Sequence, residues 1–427
     1  MLRTPRAGRF AAALLAGLVL PLTGQPVVAE PAGPRDASPD TSSGASAGSK
    51  TPRPARVLER RLHRVVKAGG VGAVAEVVNP RRTWRLADGR ATVDPRRAAK
   101  PGARFRAGSV TKQLVAVLAL QLVAKGRWSL GTTIGDVLPG VWPERSDLTL
   151  RQLLSHTSGM PDYIVPLIAE AETTPEFLRA ISRKRTPRAL VRAAKGQPWV
   201  FEPGTDWDYS NTGYVVVGLM LRMATGKDLP RLVHNRVLRP AGMTQSKLAR
   251  TPRVGWPRLH EYARLEGLQD LGRSHPSMFD AAGALVSTTR DLNRFHEALS
   301  RGDLLPPGLV RTMRSVVAVD EESGLPYGLG SYRLPDPCRP GKFVHGHDGA
   351  TWGTYTWSFS SPDGRRRVTV AATGRAIDRS GRPIQQVFRF VDAAFAATCP
   401  GGPPRSAAGG RQGVEPWPAP PDARVAR

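Results

Sequence analysis

Ser109 and Lys112, three residues apart, are the pair in this sequence best suited to chemistry. On a helix, positions three apart share a face, so the hydroxyl and the amine meet. A serine alcohol is a weak nucleophile until a neighbouring base takes its proton. A lysine serves as that base once desolvation or nearby positive charge lowers its pKa. A helix N-terminus beneath the serine aims backbone N–H groups at developing negative charge. The plainer explanation is a capping serine beside a snorkelling lysine. It fits poorly with a helix that is apolar nearly all round, where an unpaired lysine is costly.

Two further groups lie downstream. Tyr209-Ser210-Asn211 falls in a loop between Phe201-Glu202-Pro203-Gly204 and an apolar helix over 212–225. A phenol can relay a proton and an Asn amide can hold a substrate amide, although Ser and Asn also open ordinary helices. His347-Asp348-Gly349, followed by Ala350, has an edge-strand context. Such a strand offers backbone hydrogen bonds to an extended substrate, and its glycine permits close approach. His345 and His347 share a strand face next to Asp348, which raises a metal site. No third ligand cluster of recognisable spacing accompanies them, so neither metal nor cofactor is expected.

Taken in order, S-x-x-K, Y-x-N and H-x-G resemble the signature of the active-site serine penicillin-recognising enzymes. The surrounding text is similar too: Leu153-Leu154-Ser155-His156-Thr157-Ser158-Gly159, Thr212-Gly213-Tyr214, Gly242-Met243-Thr244, Ala282-Gly283-Ala284-Leu285 and Tyr327-Gly328-Leu329-Gly330. The resemblance covers roughly 55–398. It is nearest to the class C β-lactamase and D-alanyl-D-alanine carboxypeptidase branch, above all the exocellular carboxypeptidases of actinomycetes.

The resemblance implies a β-lactamase/transpeptidase-like fold of the α/β (α+β) class, an antiparallel sheet flanked by helices with a mainly helical inserted subdomain. It implies Ser109 as the acylated nucleophile, Lys112 as its base and Tyr209 as proton shuttle to the leaving group. Asn211 then positions the substrate amide, and His347 adds polarity on the opposite wall. The backbone N–H groups of Ser109 and Ala350 make the implied oxyanion hole, beside Gly349. His156 next to Ser155 suggests a dyad, but the resemblance gives that loop a structural part.

One position departs from the pattern. In the carboxypeptidases the middle residue of the third motif is usually Thr or Ser, which helps bind the substrate's terminal carboxylate. Here it is Asp348, and Ala350 has no hydroxyl either. Two anions a few ångströms apart repel unless one is neutralised, and Arg333 is the candidate for that. The implied function is a serine hydrolase acting through an acyl-enzyme, carboxypeptidase-like on peptidoglycan stem peptides, with β-lactams as acylating inhibitors. The alternatives are an esterase, D-amino-acid amidase or β-lactamase on the same scaffold, or a catalytically silent wall-binding or β-lactam-sensing protein. A conventional α/β-hydrolase needs a G-x-S-x-G elbow between a strand and a helix, which is missing.

These residues must be held by surrounding elements. The pattern predicts a helix over 55–68, strands over 72–78 and 83–86, and the Ser109 helix over 109–125, stopped by Gly126. A mainly helical insertion is expected at about 130–287, then a helix over 289–300. Strands over 343–347, 354–360 and 367–372 follow, and a closing helix covers 382–398.

Residues 1–29 read as a signal peptide, with Arg3, Arg6 and Arg9 ahead of an apolar run of about a dozen residues and a Val27-Val28-Ala29 cleavage site. Residues 30–54 read as a disordered linker, 55–399 as the hydrolase domain and 400–427 as a disordered tail. The expected location is therefore secreted, with retention at the cell wall as a variant. Among the chain's 427 residues, 62 are Lys or Arg against 35 Asp or Glu, a net charge of +27. That suits association with anionic wall polymers, though a general preference for arginine accounts for it as well. No zinc-finger or RNA-binding signature accompanies it, so nucleic acid is not an expected partner. The two cysteines, Cys338 and Cys399, suit a disulfide in an exported protein, with two free buried thiols as the alternative.

Overall fold

The computed structural model describes residues 53–320, 325–376 and 382–402. The expected signal peptide at 1–29, the expected linker up to residue 52 and the expected tail from 403 to 427 lie outside the described residues. Helix α1 (Arg53–Lys67) begins two residues inside the stretch expected as linker.

Near-continuous apolar runs put β1 (Gly72–Asn79) and β14 (Arg367–Thr373) at the centre of the main sheet, covered on both faces. β2 (Arg82–Thr92) folds back on β1 through a turn in which the Asn79 side chain accepts the N–H groups of Arg81 and Arg82. The other members are β3 (Arg97–Ala98), β9 (Ala318–Asp320), β10 (Leu325–Tyr327), β11 (Tyr332–Pro335), β12 (Phe343–Ala350) and β13 (Thr354–Ser360). The nine strands run in the order β3-β2-β1-β14-β13-β12-β11-β10-β9, antiparallel throughout.

One face of the sheet is closed by α1 and α7 (Arg382–Ala397), over an apolar layer that includes Val77, Val370, Trp357, Phe359 and Phe390. On the other face lie α6 (Thr289–Arg301) and a larger core built around α2 (Thr111–Ala124). Cys338 and Cys399 form a disulfide that ties the β11–β12 connection to the end of α7.

Between α2 and α6 the chain is helical as far as Val233, and threonine caps at Thr133, Thr149 and Thr173 each start a helix with a full capping box. Two of these helices bear on the site, α3 (Leu150–Ser155) and α4 (Asn211–Thr225). Short strands that the sequence pattern does not announce form two further sheets. Strands β4 (Phe105–Arg106), β5 (Lys247–Leu248) and β8 (Leu285–Ser287) make one small sheet, while β6 (Tyr262–Leu265), β7 (Gly267–Asp270) and β15 (Arg375–Ala376) make another. A single turn of helix, α5 (Asp280–Gly283), precedes β8.

The edge expected at the third motif belongs to half a strand. β12 lies inside the sheet, but β11 pairs with it only from Phe343 to Gly346. From His347 to Ala350 its sole sheet partner is β13. That half meets the backbone around Ser109.

Candidate active site

Ser109 sits in a 3₁₀ turn, Gly108–Val110, that leads into α2. Gly108 takes φ +54°, and a Cβ there would meet the Ala350 backbone at 2.6 Å. A Cβ at Gly349 would lie 2.1 Å from the Ala107 carbonyl and 2.8 Å from the Ser109 nitrogen. The missing side chains therefore let the Ser109 and Ala350 backbones come together. Thr111 fastens the turn, donating to the Gly108 carbonyl at 2.6 Å and accepting the Leu285 N–H at 3.1 Å.

Lys112, one turn on, is fully buried. Its Nζ lies 3.0 Å from Ser109 Oγ and donates to Asn211 Oδ1 at 2.7 Å and to the Ala282 carbonyl at 3.0 Å. It also faces the ring of Tyr209 at 4.6 Å. The first two motifs, 99 residues apart at Lys112 and Asn211, thus share hydrogen bonds. Ala282 is presented by α5, where Asp280 takes φ 40° and is gripped by the Arg222 fork at 2.8 and 3.1 Å.

Asn211 is itself held by Asp162, a residue the motif reasoning missed. Burial pushes the Asp162 carboxyl up, while hydrogen bonds from Ile164 and Asn211 and the charge of Lys112 pull against that. Its place just past the Ser155–Gly159 segment was the available signal.

His156 also counts for more than a loop residue. Its ring stacks on Tyr209 with centroids 4.2 Å apart. Burial first, then Lys112 and His347, hold its pKa well below the ordinary histidine value, so it is neutral near pH 7. Ser155 does not partner it: its hydroxyl bonds the Arg151 carbonyl and Thr157. The Tyr327 hydroxyl stands between the histidines, 3.2 Å from His156 Nε2 and 2.8 Å from His347 Nε2.

In the third motif, Asp348 is buried, accepts the Tyr332 hydroxyl at 2.9 Å and lies 3.5 Å from His347 Nδ1. Arg333 is not its neutraliser. The Arg333 guanidinium covers the Phe343 ring at 3.9 Å, and its strand partner is His345. Successive strand residues point to opposite faces, so Tyr332 reaches Asp348 where Arg333 cannot. Burial, with Arg314 and Arg333 nearby, lowers His345 to about 3. Among the described residues no group of three or more His, Cys, Asp or Glu is placed to hold a metal ion.

A family model described as Beta-lactamase matches residues 56–382. The chain belongs to the Beta-lactamase family. This family member is 25% identical over 305 residues to Penicillin-binding protein 4* of Bacillus subtilis, covering 66% of this chain and 63% of that protein. It is 31% identical over 326 residues to a D-aminopeptidase of Cereibacter sphaeroides, covering 70% of this chain and 56% of that one. The chain spans about half to two-thirds of the length of the curated relatives it matches. Among solved structures it is similar to a D-stereospecific amidohydrolase from Streptomyces, with a TM-score of 0.70 and 30% identity over 78% of this chain and 97% of that one. The β-lactamase/transpeptidase-like fold implied by the three motifs is thereby shown.

Proposed function

We propose that this chain is a serine hydrolase working through an acyl-enzyme on D-configured acyl substrates with an uncharged leaving group, a D-amino-acid amide above all. The observation that carries this reading is the set of side chains on the half of β12 that meets the Ser109 turn. Positions 348 and 350 offer no hydroxyl, Asp348 is an acid tied to Tyr332, and Arg333 is turned away. A terminal carboxylate brought here meets a buried carboxyl group where the carboxypeptidase pattern has a hydroxyl donor, whereas an amide or ester needs no such donor. Likeness to a D-stereospecific amidohydrolase and a D-aminopeptidase supports the same assignment.

The proposed steps use this geometry. As a free amine, Lys112 has two N–H groups, and the acceptors Asn211 Oδ1 and the Ala282 carbonyl take both. Its lone pair then points at Ser109 Oγ, 3.0 Å away, and receives the hydroxyl proton as Oγ attacks the substrate carbonyl. The oxyanion is held by the Ser109 and Ala350 N–H groups. Tyr209 hands a proton to the leaving amine, and water releases the acyl group by the reverse route.

A D-alanyl-D-alanine carboxypeptidase is the second reading, favoured by the likeness to a penicillin-binding protein. It would need Arg375, whose guanidinium donates to the Thr351 carbonyl at 2.7 Å next to Ala350, as the cation for a substrate carboxylate. The deciding experiment compares kcat/KM for D- and L-phenylalanine amide and an acyl-D-Ala-D-Ala peptide, with Ser109→Ala as control. Mass spectrometry after exposure to a penicillin reads acylation directly. Preference for the D-amide upholds the first reading. Preference for the peptide overturns it, and turnover by Ser109→Ala overturns both. Export is a companion proposal, supported by the leader pattern and the disulfide. It is tested by whether residues 1–29 direct a reporter out of the cytoplasm.

A further inference from the structure

Two residues that the acyl-transfer steps leave unused stand directly behind them, His156 and Tyr327. His156 caps the C-terminus of α3 in the left-handed region, at φ 65°. Its ring is buried against Tyr209, and its Nδ1 faces the backbone N–H of Ser210 at 3.1 Å. A backbone amide can only donate, so Nδ1 is the bare nitrogen and the proton of the neutral ring sits on Nε2. Nε2–H then donates to the Tyr327 hydroxyl at 3.2 Å.

Because Tyr327 accepts from His156, its own proton is directed elsewhere. Two acceptors are in reach. One is His347 Nε2 at 2.8 Å; the other is the oxygen of Tyr214, whose own proton goes to the Leu154 carbonyl at 2.7 Å. One imidazole therefore fastens the loop that carries Tyr209 to the strands that carry Tyr327 and His347.

We propose that His156, held as the Nε2–H tautomer, is a positioning residue for acyl transfer, fixing Tyr209 directly and His347 through Tyr327. The part concerning Tyr209 rests on the acyl-enzyme reading; the tautomer does not.

The test uses two variants and one spectrum. His156→Asn suits the left-handed backbone and removes the ring. Tyr327→Phe keeps the ring packing and removes only the hydroxyl. Each is expected to lower kcat about tenfold or more while moving KM less than about threefold. The double variant is expected to be no worse than the poorer single, because the two act in series. In 15N spectra of histidine-labelled wild type, His156 is identified by the signals lost in His156→Asn. Those signals are expected to show an unprotonated Nδ1 and a protonated Nε2 near neutral pH. A protonated Nδ1, additive losses in the double variant, or a folded His156→Asn with wild-type kcat would overturn the proposal. If His156→Asn fails to fold, Tyr327→Phe and the wild-type spectrum still decide, with His156 assigned by its contact to the Ser210 amide. If the wild type turns over no acyl substrate, the acyl-enzyme reading fails while the tautomer result stands by itself.

Discussion

Asp162 grips Asn211 twice through one oxygen, its Oδ2 accepting the backbone N–H at 2.6 Å and the side-chain amide at 2.9 Å. The second bond fixes which way the amide faces, leaving Asn211 Oδ1 to accept the hydrogen bond that Lys112 donates. Its other oxygen accepts the Ile164 N–H at 2.8 Å. Asp162→Ala strands these donors in a buried site. It is expected to cost about 2 kcal/mol of stability and to lower kcat/KM by about a hundredfold as Asn211 loses its orientation. Denaturant titration and steady-state kinetics read the two effects. A variant with normal kinetics would mean that Asn211 is held without it.

Gly349→Ala places a methyl group 2.1 Å from the Ala107 carbonyl, and the atom it meets is backbone that cannot swing aside. β12 must then move off the Ser109 turn, separating the two N–H groups of the oxyanion hole. The expected result is a fall in acylation rate of about a hundredfold or more, because one such donor alone is worth that much. Gly341→Ala in the β11–β12 connection has nothing near its Cβ and serves as the control. Gly341 has φ +71°, so a small stability loss is expected there without loss of acylation. Equal rates for the two variants would argue against the hole.

The buried imidazoles predict an acid-sensitive fold. Desolvation, aided by Arg314, lowers both His296 and His345 from 6.5 to about 3, and His156 is lowered well below 6.5. The unfolded chain binds protons that these rings refuse, so the stability they contribute is present above 6.5 and lost as pH falls toward about 3. Each contributes a slope of up to about 1.4 kcal/mol per pH unit. Asp162 acts in the opposite sense: its raised pKa gives stability present below 3.8 and lost as pH rises through the folded value. His296→Gln, which keeps a polar group near Ser358, is expected to flatten the slope between pH 6.5 and about 3 by one group's share. Unfolding free energies measured across that window check the prediction, and an unchanged slope would show His296 to be charged in the fold.

Cys338 and Cys399 lie 61 residues apart, and their bond closes a loop that contains β12, β13 and β14. A loop of that length is worth up to about 4 kcal/mol through the lost entropy of the unfolded chain. The double Cys338→Ser, Cys399→Ser variant is expected to melt lower by an amount approaching that figure, with kcat little changed. Cys338 precedes the Phe343 end of β12, whereas it is the Ala350 end that meets the Ser109 turn. A large drop in kcat at full folding would assign the disulfide a part in shaping β12.

The sequence by itself determined the family signature, the meeting of Ser109 with Lys112 and the order of the longer elements. Ser109 and Lys112 meet because helical spacing brings positions three apart onto one face, and that rule is local. The apolar runs of β1 and β14 and the all-round apolar α2 report burial just as directly, since burial is written in residue type. Only the tertiary structure decided how Asn211 faces Lys112, because that depends on Asp162 arriving from another segment. It also decided what becomes of Asp348. From sequence, Arg333 was the available cation; strand alternation instead brings Tyr332 to Asp348 and turns Arg333 over Phe343. His156 and Tyr327 are 171 residues apart and have no local pattern that pairs them. Their contact follows from the packing of α3 against the sheet, and contacts made by packing leave no periodic mark in the chain.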